Sequence, residues 1–361
     1  MKTTAFLLLL LLSAKIPTPP DPGKLDNWLK ENTGEMGGRA ILLVADRNGK
    51  ILYSHAVNQL NMRQKIAARF MARRAGKDAN LDDFTATTRQ PIASCSKWLS
   101  AALVMRFVDD GTLKLADKVG KFLPVLSLHG KGGITISQCL SHTTAIKAPA
   151  LKESIEEIRN TGSMEEAIEA IAKLPMEGIP GHVFHYSNAG LQIAAAVIEK
   201  ISGKDFETLF AERMATPLEM KNTDFGKGKV VLAAGGAFST PLDYMNFLQM
   251  ILNKGMFKGR RILTEKSVAD MQINRITADT RVAYSPAEAG DAGYGYGEWV
   301  MQASTATKLS EVVSSPGLFG SFPWVNNEKG YCAFLMTYYI RPNGRGDRYR
   351  ELRELVDAFV Q

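Results

Sequence analysis

The sequence predicts an α/β (α+β) fold: a mixed, largely antiparallel sheet built from both chain ends and flanked by helices, with a mostly helical subdomain inserted between. Three observations carry this reading. Runs with strand character lie towards the two ends, at 39–54 and 297–340. Helical patterns fill the middle, at 155–174, 188–201, 206–214 and 241–252. Between them, residues 95–108 are apolar on almost every face, as in a helix buried at the centre of a protein. With 361 residues, 45% of them hydrophobic, the chain can bury a large core.

In chain order, a charged start at Met1-Lys2 leads into an apolar run at 5–12 and the small residues Ser13-Ala14. This reads as an export signal over 1–14, too short to span a bilayer. The mature chain is therefore expected to be periplasmic or secreted, with no stable membrane span. A proline-rich spacer follows over 15–23. The remainder, 24–361, reads as one catalytic unit, with a sheet part at about 24–93 and 290–361 and a helical part at about 94–289. Asn48-Gly49 separates the runs 39–45 and 51–54, a strong hairpin signal. Pro91 biases its neighbour to extended structure, so the central helix is expected to begin near Ser94. Asp109, Asp110 and Gly111 stop it, with Gly111 as a left-handed cap. Towards the C-terminus, 297–301, 311–318, 321–325 and 331–340 read as strands, and a turn at 326–330 joins the last two. The chain closes with an amphipathic helix that aligns Leu352, Leu355, Val356 and Phe359.

Composition excludes several functions. The net charge is +7, and the densest basic patch is Arg63, Lys65, Arg69, Arg73, Arg74 and Lys77 in a helical segment. Such a patch can meet phosphates or can simply be a solvated face. Export argues against nucleic acid as a partner and leaves anionic lipid or wall polymer open. Cys95, Cys139 and Cys332 cannot all pair with one another, and their apolar contexts suit buried free thiols. His182 and His185 lack further ligands nearby, so no metal and no cofactor is expected.

The chemistry-bearing motif opens the central helix. Ser94 and Lys97 stand three apart, on one helix face. A lysine desolvated among apolar side chains has a lowered pKa, and only its neutral amine can take a proton from serine. The helix N-terminus supplies N–H groups for a developing oxyanion. The bland alternative is a capping serine with a solvated lysine. Further on, Tyr186 and Asn188 would share one side of an extended segment and could relay a proton and hold a carbonyl. The bland alternative there is a core tyrosine and a helix-capping asparagine. A second Tyr-x-Asn, Tyr244 and Asn246, falls in a helix, where residues two apart do not share a face. Near the C-terminus, the run Ser314-Ser315-Pro316-Gly317-Leu318 places a glycine in a strand, where a ligand can approach closely and a bare N–H can complete an oxyanion hole.

In that order, Ser94-x-x-Lys97, Tyr186-x-Asn188 and the glycine-bearing strand resemble the serine β-lactamase and penicillin-binding-protein superfamily. The resemblance is closest to the branch of class C β-lactamases, D-alanyl carboxypeptidases and esterase relatives. It extends to Leu140-Ser141-His142-Thr143-Thr144, to 233–240 and to Gly293-Tyr294-Gly295-Tyr296-Gly297, and covers roughly 36–360. It implies a β-lactamase/transpeptidase-like fold and an acyl-enzyme on Ser94, with Lys97 as base and Tyr186 sharing proton transfer. Asn188 would hold Lys97 and the substrate amide, and the Ser94 and Leu318 N–H groups would form the oxyanion hole. Ser315, Gly317 and Leu318 would then line the substrate site. Ser315 stands where the family usually has Lys or His, a cation for a substrate carboxylate. That departure favours an ester or small-peptide substrate with a scissile ester or amide carbonyl. A β-lactamase proper and a non-turnover penicillin-binding or sensor domain are the alternatives. No Gly-x-Ser-x-Gly elbow is present, which disfavours an α/β-hydrolase triad.

Overall fold

A computed structural model describes residues 21–74, 76, 78–303, 310–340 and 343–360. The expected export signal, most of the spacer and Lys77 lie outside the described residues. Seven strands form one sheet: β1 (Arg39–Asp46), β2 (Ile51–Asn58), β3 (Gly293–Tyr294), β4 (Trp299–Gln302), β5 (Val312–Ser314), β6 (Phe322–Asn326) and β7 (Tyr331–Thr337). Their order is β2-β1-β7-β6-β5-β4-β3. Every neighbouring pair is antiparallel. The sheet itself is thus antiparallel rather than mixed. Parallel pairing occurs apart from it, between Val183–His185 and Arg281–Tyr284.

The centre of the sheet explains its apolar sequence. In β7, Cys332, Phe334 and Met336 face one core, while Tyr331, Ala333 and Leu335 face another. In β1, Ile41, Leu43 and Ala45 alternate with Ala40, Leu42 and Val44 in the same way. Side chains alternate along a strand, so a strand covered on both faces reads as one apolar run.

Two terminal helices, α1 (Gly23–Asn32) and α6 (Arg345–Phe359), cover one face. Trp28 Nε1 donates to Glu351 Oε2 at 2.9 Å and ties them together. Leu352, Val356 and Phe359 enter that core, and Leu355 packs at its margin. The larger core on the other face holds α3 (Cys95–Asp109), α4 (Ala189–Ser202) and α5 (Pro241–Leu252). A further helix, α2 (Met62–Arg74), follows the edge strand β2.

Local signals decide most boundaries, and some differ from expectation. The spacer gives way at Gly23 to α1, whose first amide donates to Asp21 Oδ1 at 2.9 Å. The helix expected over 155–174 is two helices, Leu151–Asn160 and Met164–Lys173. Between them, Ser163 accepts from the Glu166 amide, a new N-cap after the helix-breaking Gly162. The helix expected over 206–214 ends its α-helical part at Phe210 and continues as a π turn, Ala211–Ala215. The strand expected over 311–318 stops at Ser314.

Candidate active site

The centre of the molecule is α3, buried on all sides from Cys95 to Met105. Gly111, at φ 73°, closes it as a left-handed cap. Ser94 occupies the N-cap position, yet its hydroxyl caps no amide. Ala93 before it sits at φ 47°, a left-handed conformation costing a non-glycine residue roughly 1–2 kcal/mol. The turn is held from three sides. The Ile92 amide donates to Ala237 O at 2.9 Å, Tyr244 Oη donates to Cys95 O at 2.8 Å, and Ser315 Oγ lies 3.1 Å from Ser94 O.

Lys97 is fully buried, and its amine has three polar neighbours. Ser94 Oγ lies at 3.1 Å, Asn188 Oδ1 at 3.3 Å and Ala234 O at 2.8 Å. A carbonyl oxygen can only accept, so the last two take two N–H bonds from the lysine. The Asn188 amide is oriented by its Nδ2, which donates to Ser154 Oγ at 3.4 Å. Burial lowers the Lys97 pKa from 10.5 to about 7. The neutral amine has two N–H groups and one lone pair, and the lone pair is left for the Ser94 hydroxyl.

Tyr186 and Asn188 reach this amine by a different route from the one expected. The extended segment ends at His185, and Asn188 has helical φ and ψ at the N-cap of α4, without capping it. Tyr186 instead offers its ring, 4.8 Å from the Lys97 nitrogen. Its hydroxyl feels that of Ser94, although burial, the larger effect, pushes the phenol above its ordinary pKa. The ring is fixed by Trp299 at 5.2 Å, His142 at 4.7 Å and Tyr294 at 5.9 Å between centroids. His142 is itself bonded, Nε2 to Tyr294 Oη at 3.1 Å, and burial keeps it neutral by lowering its pKa well below the usual value. By contrast, Tyr244 and Asn246 diverge, one to Cys95 O and the other to Leu218 O.

Ser94, Tyr186, Asn188, Gly317 and Leu318 line a cleft of about 1000 Å³. The Ser94 and Leu318 amides donate to no acceptor among the described residues, which leaves two bare N–H groups on residues that line the cleft.

The Beta-lactamase family model matches residues 26–358. The chain belongs to the Beta-lactamase family. The family is one of serine hydrolases. A Bacteroides dorei protein assigned to the β-lactamases has a structure superposing with a TM-score of 0.77 at 28% identity, over 94% of this chain and 99% of that one. D-alanyl-D-alanine-carboxypeptidase/endopeptidase AmpH of Escherichia coli is 23% identical over 191 residues, 46% of this chain and 50% of AmpH. Protein flp of Staphylococcus aureus is 25% identical over 195 residues, 53% of this chain and 35% of flp. The chain spans half or less of the length of these two curated relatives.

The third motif of this β-lactamase-family chain differs from expectation. Residues 315–321 form a loop in which the Gly317 amide donates to Ser321 O at 2.8 Å. Ser315, expected on the substrate side, is 1% exposed, and its hydroxyl lies 3.1 Å from Ser94 O and 3.0 Å from Gly297 O. It braces the nucleophile turn from behind. Gly317 serves packing: a Cβ there would meet Ile92 O at 2.3 Å.

Three contributors had no assigned role at the sequence level. Ser96, Lys97 and Ser100 all bond to the segment 233–237, which brings Ala234 O to the lysine. The Tyr294–Trp299 pair belongs to the glycine-rich run after 293, where Gly297 at φ 76° lies so close to α3 that a Cβ would meet Lys97 O at 2.5 Å. Glycines alternating with tyrosines were the available signal. Ser154, which orients Asn188, had none.

Proposed function

We propose that this chain is an exported serine hydrolase that cleaves an ester or amide bond through an acyl-enzyme on Ser94, an esterase or peptidase of its family. One observation supports this most: a buried Lys97, its pKa lowered to about 7, whose amine has two carbonyl acceptors and lies 3.1 Å from Ser94 Oγ, so that the neutral form turns its lone pair to that hydroxyl. Ser94 Oγ attacks the substrate carbonyl carbon as its proton passes to Lys97. The Ser94 and Leu318 amides receive the oxyanion. Lys97 then gives the proton to the leaving alcohol or amine, and the C–O or C–N bond breaks. Water, deprotonated through Tyr186, attacks the acyl carbon; its proton returns to Ser94 Oγ as the acid is released. Asn188 holds Lys97 and the substrate carbonyl. Residues 1–14 act as the export signal and 24–361 as the catalytic unit, in the periplasm or secreted.

The substrate is a small molecule or peptide, not a nucleic acid. With Ser315 turned inward, Lys147, Arg350 and Arg353 on the cleft wall are further candidates for a substrate carboxylate. The family relation to AmpH makes a peptidase as tenable as an esterase. Intact-protein mass spectrometry with a fluorophosphonate, then with penicillin, beside Ser94→Ala, tests the reading. A phosphonate adduct confined to wild type upholds it; equal labelling of the variant, or none in either, overturns it. Penicillin then divides the outcomes: turnover marks a β-lactamase, a lasting adduct a sensor, and no reaction an esterase or peptidase.

A further inference from the structure

We propose that α2 is an interfacial anchor that seats the protein on an anionic lipid bilayer. Its residues Met62, Ile66 and Phe70 are 67%, 58% and 60% exposed and stand four apart, so they form one apolar stripe open to solvent. Gln64 faces the opposite way and fastens the helix to the body, its Nε2 donating to Gly34 O at 3.3 Å. The stripe is therefore not the face that packs on the protein.

The charges around the stripe select the partner. Arg63 and Arg74 flank it on one side, Lys65 and Arg69 on the other, with Arg73 at its end, and Met62–Arg74 contains no Asp or Glu. The Arg74 guanidinium lies 5.8 Å from the centre of the Phe70 ring. Long basic side chains beside an apolar stripe can reach headgroup phosphates while their stems and the stripe enter the acyl boundary. An anionic polymer would use the cations and leave three large apolar side chains in water. A second copy would set five cations against five. An anionic bilayer satisfies both features at once.

The placement leaves the cleft free. The helix follows β2, at one edge of the sheet, whereas Trp299 and Met301 of β4 line the cleft near the other edge. A docked molecule would keep its substrate site away from the lipid surface.

Flotation of the full chain with vesicles of phosphatidylethanolamine and phosphatidylglycerol, against pure phosphatidylcholine, tests this. The apolar run at 5–12 is common to all variants, so comparisons between them isolate α2. Ile66→Ser/Phe70→Ser lowers partitioning to the anionic vesicles at least about tenfold. Arg69→Glu/Arg73→Glu lowers it about tenfold or more, and salt lowers wild-type binding. Both variants keep the wild-type melting temperature. Phe70→Trp adds a local reporter whose emission shifts to shorter wavelength with anionic vesicles and is quenched by brominated acyl chains. Unshifted Phe70→Trp emission, undiminished binding by Ile66→Ser/Phe70→Ser, or equal binding to phosphatidylcholine overturns the proposal. So does retention on polyphosphate with no dependence on the apolar stripe, or a dimer that Ile66→Ser/Phe70→Ser dissociates without any vesicle binding.

Discussion

The Lys97 amine lies 2.8 Å from the Ala234 carbonyl oxygen, across 137 residues of chain. Together with Asn188 Oδ1 at 3.3 Å it gives the amine two partners that can only accept. The third direction belongs to Ser94. Because only the neutral amine is a base there, kcat/KM for a simple ester should rise with pH through a midpoint near 7, the value to which burial brings Lys97. Lys97→Arg, always charged, should lose roughly 10²–10⁴-fold. A pH profile flat from 5 to 9 would sink the assignment.

The same burial predicts a stability effect of definite sign. The folded pKa of Lys97 is lowered to about 7, whereas the unfolded chain holds that proton up to the ordinary value of 10.5. Between the two, the unfolded state binds more protons, so stability rises with pH across this window. Lys97→Met removes the titration. Its gain over wild type in urea unfolding should be largest at and below pH 7 and should shrink towards pH 10. A gain that grows with pH would contradict the argument.

Tyr186→Phe keeps the ring that packs on Trp299 and removes the hydroxyl beside Ser94. Acylation should persist while release slows by about 10²–10⁴-fold. Rapid-quench mass spectrometry should show the acyl-enzyme building up in the variant. Equal slowing of both steps would assign the hydroxyl to acylation instead.

Gly317→Ala puts a methyl 2.3 Å from Ile92 O, directly against the turn that presents Ser94. It should cost about 1–3 kcal/mol and reduce phosphonate labelling. Gly111→Ala is the control: φ is 73° but nothing lies within 4 Å of the added carbon. It should cost about 1 kcal/mol through the backbone alone and leave labelling intact.

Glu298 is fully buried, and desolvation raises its pKa well above the carboxylate range. The unfolded chain releases this proton first, so wild type loses stability as pH rises above the ordinary carboxyl value. Glu298→Gln should melt higher than wild type at pH 7, with the difference closing towards pH 4. A variant that melts lower at pH 7 would show that the charged form is stabilised in place.

The pieces whose cause is local could be read from neighbouring residues alone. The Asn48-Gly49 hairpin, the doubly apolar strands, the buried helix at 95–108 and its Gly111 stop follow from side-chain period and backbone preference within a few residues. Ser94 and Lys97 were legible for the same reason, since one helical turn brings them together. The break at Thr161-Gly162-Ser163 was written just as locally, in the Ser163-x-x-Glu166 pattern, but a strong helical period on both sides masks it. Tertiary structure alone decided what crosses the chain. The pairing of β1 with β7 arises from two surfaces, each of which could have met other strands. Ala234 contributes a backbone carbonyl, and every residue has one, so no side-chain pattern can mark it. The inward turn of Ser315 likewise depends on where the Ser94 and Gly297 carbonyls come to rest once α3 and the sheet have packed. Local chemistry placed the nucleophile; long-range packing decided which partners set its proton.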